Sequence, residues 1–375
     1  MINEILKECE YIAKNPKKVV SEYIEKNNVK AIGMVPLFGP EELVDAAGML
    51  PVGLWGGYNV EIDLAKQYFP AFCASLANIV MELGLNGTYN MLSAVIIPGM
   101  TDTLNSLSQN WRSGVKNIPL IFMVYPQNRK LQCGIDYLVD ELKFVKTKLE
   151  EIKGSPILEE DIEKSIEVYN KHRLAMREFA ELAASHPITI NNQNRSNVYK
   201  SSYFIPKKEH LELLNKLNEE LKKIPEENYN GKRIVITGLI FDDPNLLDIL
   251  EQNNLRIVGD YLAHESIQYN TDVPNEGKNS LERLANQWRD IEGFSAAYDP
   301  KKLRGKMIVE LMKKQKATGA IFALMKFSDL EEYDMPICVQ DIKDAGFPVI
   351  SFEIEQQDSD SGQVKTRIQT FAEML

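Results

Sequence analysis

SAVIIPGMTD (93–102) and TGAIFALMKFSD (318–329) decide the fold. Each opens with an unbroken apolar run of strand length and closes on a small hydroxyl residue followed by Asp. A strand covered by helices on both faces reads this way, whereas a half-exposed strand alternates apolar with polar. Working outward, the first run is flanked by KAIGMV (30–35), LPVGLW (50–55) and PLIFMVY (119–125). The second is flanked by RIVITGLI (233–240), LRIVGD (255–260) and FPVISFEI (347–354). Helical stretches are expected between them at 40–47, 70–83, 245–252, 280–290, 301–316 and 335–344, with a last helix from about 362. Strands alternating with helices predict an α/β protein with mainly parallel sheets.

The residues from about 130 to 224 read as almost pure helix. Ile162, Ile166, Tyr169, Met176, Phe179 and Ala183 recur at near-helical spacing, and Leu214, Leu217, Leu221 and Ile224 step by three and four. The second stripe is too short to sustain a coiled coil. The loop PEENYNGK (225–232) carries the Pro, Asn and Gly of a boundary. The expected organisation is an N-terminal α/β lobe (1–150), a helical connector (151–229) and a C-terminal α/β lobe (230–375). Two Rossmann-like lobes so joined place the site in the cleft between them.

Composition narrows the function classes. The 375 residues are 44% hydrophobic and 26% charged, the balance of a folded soluble protein. Lys and Arg total 43 against 54 Asp and Glu, a net charge of −11, which disfavours a nucleic-acid backbone partner. No apolar run reaches 18 residues, so no membrane span is expected, and the charged first twenty residues lack the core of a secretory signal. Cys9, Cys73, Cys133 and Cys338 form no CxxC pair and are too few for a disulfide scaffold. A cytoplasmic location is the expectation.

The familiar phosphate loops GxGxxG and GxxxxGK[ST] are absent, as are HExxH and GxSxG. Of the four histidines, His172, His186 and His210 fall in the connector and are expected at the surface. His264, followed by Glu265 after a strand, is the better functional candidate. The two strand ends, Thr101-Asp102 and Ser328-Asp329, stand out. Ligands of open α/β sheets bind beyond the carboxyl ends of strands, so these pairs are candidate walls of one site. The bland reading makes them ordinary helix N-caps, and it is the stronger on sequence alone. Trp55 and Trp111 are expected to be packing residues rather than substrate contacts.

The stretch KAIGMVPLFGPEELVDAAGMLPVGLWGG (30–57) resembles the 2-hydroxyacyl-CoA dehydratase family, more closely its β subunit. So do VIIPGMTDTLNSLSQNW (95–111), YPQNRK (125–130), TDVP (271–274), YDPKK (298–302) and LMKFSDLEEYDMP (324–336). The similarity runs through nearly the whole chain in the same order. It implies two α/β lobes and a heterodimer with an α subunit, each subunit holding a 4Fe–4S cluster. It also implies an ATP-dependent iron–sulfur activator that injects one electron. The implied reaction removes water from an (R)-2-hydroxyacyl-CoA to give the (E)-2-enoyl-CoA. One-electron reduction of the thioester carbonyl to a ketyl lets hydroxide leave the α-carbon, the β-proton then becomes acidic, and the electron is returned. In such chemistry the protein supplies position and electrostatics.

The resemblance also implies three cluster cysteines, one at the start of a helix and two heading Cys-Asp pairs after strands. Carried over, they fall on or beside Cys73, on Thr101 and on Ser328, so two of the three thiolates are missing. Alcohols are reluctant anionic ligands and harder than sulfur, and one thiolate does not anchor a cubane. Cys133 is the first candidate substitute, ahead of Cys9 and Cys338, though buried apolar packing is the default for each. The expectation is that the 4Fe–4S cluster of the complex sits on the partner subunit; whether this chain binds any metal, with Cys73 as its ligand, stays open. The chain is then read as the β subunit of a lyase that closes the cleft. An aryllactyl-CoA is the preferred substrate and a branched aliphatic acyl-CoA the next, in the setting of amino-acid fermentation. The alternatives are a non-catalytic scaffold or regulator and benzoyl-CoA-reductase-type chemistry.

Overall fold

In the computed structural model, which describes residues 1–35, 38–356 and 362–375, the chain forms two parallel four-stranded sheets. The N-terminal half runs α1 (Ile2–Lys14), α2 (Pro16–Asn27), β1 (Ala31–Met34), α3 (Glu41–Ala46), β2 (Leu50–Gly53), α4 (Ser75–Leu85), β3 (Ala94–Gly99), α5 (Asp102–Gly114), β4 (Leu120–Val124) and α6 (Gln132–Lys153). The long helices α7 (Glu159–Ser185), α8 (Asn192–Ser201) and α9 (Lys207–Leu221) follow. The C-terminal half runs β5 (Lys232–Gly238), α10 (Pro244–Gln252), β6 (Leu255–Leu262), α11 (Ser280–Asp290), α12 (Arg304–Lys314), β7 (Gly319–Met325), α13 (Asp329–Asp344), β8 (Val349–Ile354) and α14 (Gly362–Met374).

The strand orders are β2-β1-β3-β4 and β6-β5-β7-β8, so the two halves repeat one winding. All eight expected strands form. The apolar runs that identified them are explained by position in the sheet. Every residue of β3 and of β7, both interior strands, is buried, so both faces need apolar side chains. The edge strand β4 alternates buried with half-buried residues. In each sheet the winding reverses between the first and third strands, β1 and β3 or β5 and β7. A crevice opens at such a reversal, beyond the strands' carboxyl ends.

Two helices begin five or more residues from where they are expected. α4 starts at Ser75 rather than near 70, because 70–74 forms turns around Pro70. α13 starts at Asp329, not near 335, and runs through Pro336. A proline inside a helix gives up one backbone bond and is easily mistaken for its first turn. Pro36 and Leu37 of the 30–57 stretch lie outside the described residues.

The halves are not independent bodies. The largest apolar cluster joins the first sheet to residues from 263 to 297, including Leu284, Trp288 and Phe294. α11 packs on α6, and α1 packs on α8 and α9. Arg129, 1% exposed, crosses between the halves. Its guanidinium donates to the carbonyls of Trp288 (3.1 Å), Arg289 (2.6 Å) and Tyr298 (3.3 Å) and pairs with Glu292 at 3.0 Å. Two of the stretches that carry the resemblance, YPQNRK and YDPKK, thus meet as structural hardware.

The connector histidines are buried, not at the surface: His172 and His210 are 1% exposed and His186 is 3%. α7 packs along α9, and there the His172 Nε2 and His210 Nδ1 are 2.9 Å apart and share one proton between them. A neutral imidazole has one donor and one acceptor, so a pair can satisfy itself inside a helix interface.

Candidate functional site

β3 and β7 are the third strands of their sheets, and their carboxyl ends face one cavity of about 210 Å³. Thr101, Asp102, Ser328 and Asp329 all line it. The two strand ends therefore border one cavity, and the bland reading of a side-chain cap holds for Thr101 but not for Ser328, whose hydroxyl caps nothing. Thr101 is the N-cap of α5, where its hydroxyl accepts from the Leu104 amide at 3.1 Å. Ser328 is the N-cap of α13, where its carbonyl accepts from the amides of Glu331 and Glu332 at 3.0 and 3.1 Å. Helix starts at strand ends are the natural rim of a switch-point crevice, so at Thr101 the two roles coincide.

The third wall comes from the start of α4. Its N-cap, Ala74, lines the cavity, with Leu76 and Ala77 of the first turn. Cys73, one residue earlier, is half-buried and packs against the large apolar cluster, outside that lining. Burial pushes its thiol up to about 11, with the Ala74 amide pulling the other way, so it is a neutral thiol at pH 7. The rest of the cavity is mostly apolar, with Met100, Leu104, Leu107, Leu239, Met325 and Leu330, and adds the hydroxyl residues Thr103 and Ser295. It far exceeds the roughly 10–15 Å³ that admits one water.

The other cysteines are dispersed. Cys9 is buried between α1 and the connector helices, where burial pushes its thiol up to about 11. Cys133 is exposed on the first turn of α6, 3.4 Å from the Asn128 amide. Cys338 is buried in α13 and lines an adjoining cavity of about 310 Å³. Among the described residues no three His, Cys, Asp or Glu side chains are grouped to hold a metal ion. A cubane needs soft anionic donors, and this chamber offers four hydroxyls, two carboxylates and two neutral thioethers, with no thiolate. The residues present do not fit a 4Fe–4S cluster.

A second cavity, about 440 Å³, lies where both halves and the connector meet. The sequence reading missed its polar wall. Asp242 accepts from the Tyr58 hydroxyl and from the Lys200 ammonium, each at 2.7 Å. Burial pushes the Asp242 carboxyl up, but Lys200, His264 and the hydrogen bonds prevail and hold it below the usual value. The advance signal was the FDDP run (241–244) just after β5, another strand end. His264 lines the same cavity, and its Nδ1 lies 3.2 Å from the Leu239 carbonyl. Burial pushes its pKa down, so it is a neutral ring donating from Nδ1. Trp55 is also in this wall, its ring tilted against Tyr203 with centroids 5.4 Å apart, whereas Trp111 is fully buried packing.

A family model described as "2-hydroxyglutaryl-CoA dehydratase, D-component" matches residues 36–375. The chain is 45% identical over 364 residues to the (R)-phenyllactyl-CoA dehydratase beta subunit of Clostridium sporogenes, covering 97% of this chain and 96% of that one. It is 38% identical to the lactoyl-CoA dehydratase subunit beta of Anaerotignum propionicum, covering 100% and 99%. To the (R)-2-hydroxyglutaryl-CoA dehydratase subunit beta of Acidaminococcus fermentans it is 35% identical, over the full length of both.

Proposed function

The chain belongs to the 2-hydroxyglutaryl-CoA dehydratase D-component family, and on that premise we propose that it is the β subunit of a radical (R)-2-hydroxyacyl-CoA dehydratase. It is a subunit of a hydro-lyase, and its obligatory partner is an α subunit. The observation that carries the reading is the 45% identity to a phenyllactyl-CoA dehydratase β subunit across 97% of the chain. The same relative favours an aryllactyl-CoA as substrate, ahead of a branched aliphatic one.

The reaction we assign to the complex eliminates the α-hydroxyl and a β-hydrogen as water, leaving the 2-enoyl thioester, with no net redox change. An ATP-dependent iron–sulfur activator delivers the initiating electron to a cluster on the α subunit. The part of this chain is to close the cleft and exclude water, which strengthens electrostatic interactions inside it. A cytoplasmic location belongs to the same reading; separately, no helix among the described residues is long and apolar enough to cross a membrane.

The test is co-expression with the α subunit and activator, followed by dehydration of (R)-phenyllactyl-, lactoyl- and 2-hydroxyglutaryl-CoA with ATP and a reductant. The expected result is turnover of the aryl substrate that vanishes when this chain is left out. A stable homodimer that confers no turnover on any of the three would return the chain to the scaffold reading.

A further inference from the structure

Three helices bring their first turns to the 210 Å³ cavity: α4, α5 and α13, capped by Ala74, Thr101 and Ser328. Each helix N-terminus carries about half a positive charge, which the Asp102 and Asp329 carboxylates in the same lining offset. A thiolate-bound iron–sulfur cluster is itself an anion, so these two carboxylates count against one in the chamber as it stands. The cap residue of each helix is the position from which a short side chain enters the cavity. Position 74 belongs to that set and position 73 does not, because Cys73 packs on the apolar core instead.

We propose that positions 74, 101 and 328 are the three anchor points of a cluster chamber whose thiolates have been replaced by one methyl and two hydroxyls, so that this subunit binds no iron–sulfur cluster. Cys73 is not a remnant anchor. This deepens the dehydratase reading and rests on it for the kind of group concerned. Two features of the site support the replacement. The Thr101 hydroxyl is engaged as a cap acceptor of the Leu104 amide and stays protonated there. Ala74, 6% exposed, offers no donor atom at all. The consequence is that reducing equivalents bypass this chain.

The full chain, purified anaerobically and reconstituted with ferrous iron and sulfide, tests this by iron count and visible charge-transfer absorption. The native chain is expected to retain well under one iron. The triple variant Ala74→Cys, Thr101→Cys, Ser328→Cys is expected to retain about four, the content of one cubane. The double variant Thr101→Cys, Ser328→Cys, which keeps native Cys73 and Ala74, is expected to retain at most a small fraction of that. About four irons on the native chain would overturn the inference. A double variant that binds as well as the triple would overturn the exclusion of Cys73. Far-ultraviolet circular dichroism of each metal-free variant identifies a folding failure, and the native count stands whatever the variants do. The iron count needs no substrate, so an inactive complex would count against the dehydratase reading while leaving this result intact.

Discussion

A hydroxyl at position 101 satisfies a backbone amide that would otherwise be bare at the start of α5. Thr101→Val keeps the shape and removes the acceptor, so it should lower stability by about 0.5–2 kcal/mol, whereas Thr101→Ser should be nearly neutral. Urea unfolding of the two variants checks the difference, and equal midpoints would show that the cap bond contributes nothing. Cys73 behaves in the opposite way, because its thiol is neutral and lies against the apolar core. Cys73→Ala should leave iron content and dehydratase turnover of the complex unchanged. A loss of either beyond about twofold would restore Cys73 as a ligand. At this scale the sequence was informative about Thr101 and Ser328, since residue type and strand-end position are both local. It left the choice between 73 and 74 open, because that depends on how the turn before α4 is wound.

Between elements, helix packing sets sharper limits. Gly84 of α4 lies under Trp111 of α5, and a Cβ there would meet the indole at 2.7 Å. Gly84→Ala therefore overpacks the interface at a cost of about 1–3 kcal/mol, and Trp111→Phe in the same background should recover part of it. Thermal melting of the single and double variants measures this. The paired imidazoles between α7 and α9 predict a pH response. Burial pushes His210 down to about 3 and His172 also down, with Lys207 and Arg173 adding to the shift. Unfolded histidine binds a proton near pH 6.5 and the folded pair does not. Stability from this pair is thus complete above about pH 6.5 and is lost as the pH falls toward 3. For His210 the slope is on the order of 1.4 kcal/mol per pH unit in that window, and His172 adds in the same direction. Urea midpoints at pH 7 and 5 should differ in this direction, and His210→Gln should flatten the difference. Equal midpoints would mean that the imidazoles titrate normally. None of this was legible beforehand: a histidine on a helix is expected outside unless its partner, 38 residues away, is known to face it.

Across the whole molecule, two sheets of one winding are held as a unit by groups that cross between them. Arg129 is the clearest, with three backbone carbonyls and Glu292 on its fork. Arg129→Ala strands those acceptors and should cost roughly 2 kcal/mol or more, and Arg129→Lys should rescue little, because an ammonium does not reproduce the planar fork. Guanidinium unfolding decides this, and a fully stable Lys variant would show that charge alone suffices. The eight strands were legible because interior strands must be apolar on both faces, as Ile96 and Ile97, both 0% exposed, illustrate. The fusion of residues 263 to 297 with the first sheet's core was not, since it rests on contacts distant in sequence. The Tyr58–Asp242–Lys200 cluster was hidden for the same reason, its members lying 42 and 184 residues apart.

The most direct measurement is iron counted on each subunit after an active complex has been separated under anaerobic conditions. About four irons on the α subunit and well under one on this chain, in a preparation whose turnover requires both, is the predicted result. A stoichiometric cluster on this chain, or undiminished turnover without it, would contradict the account.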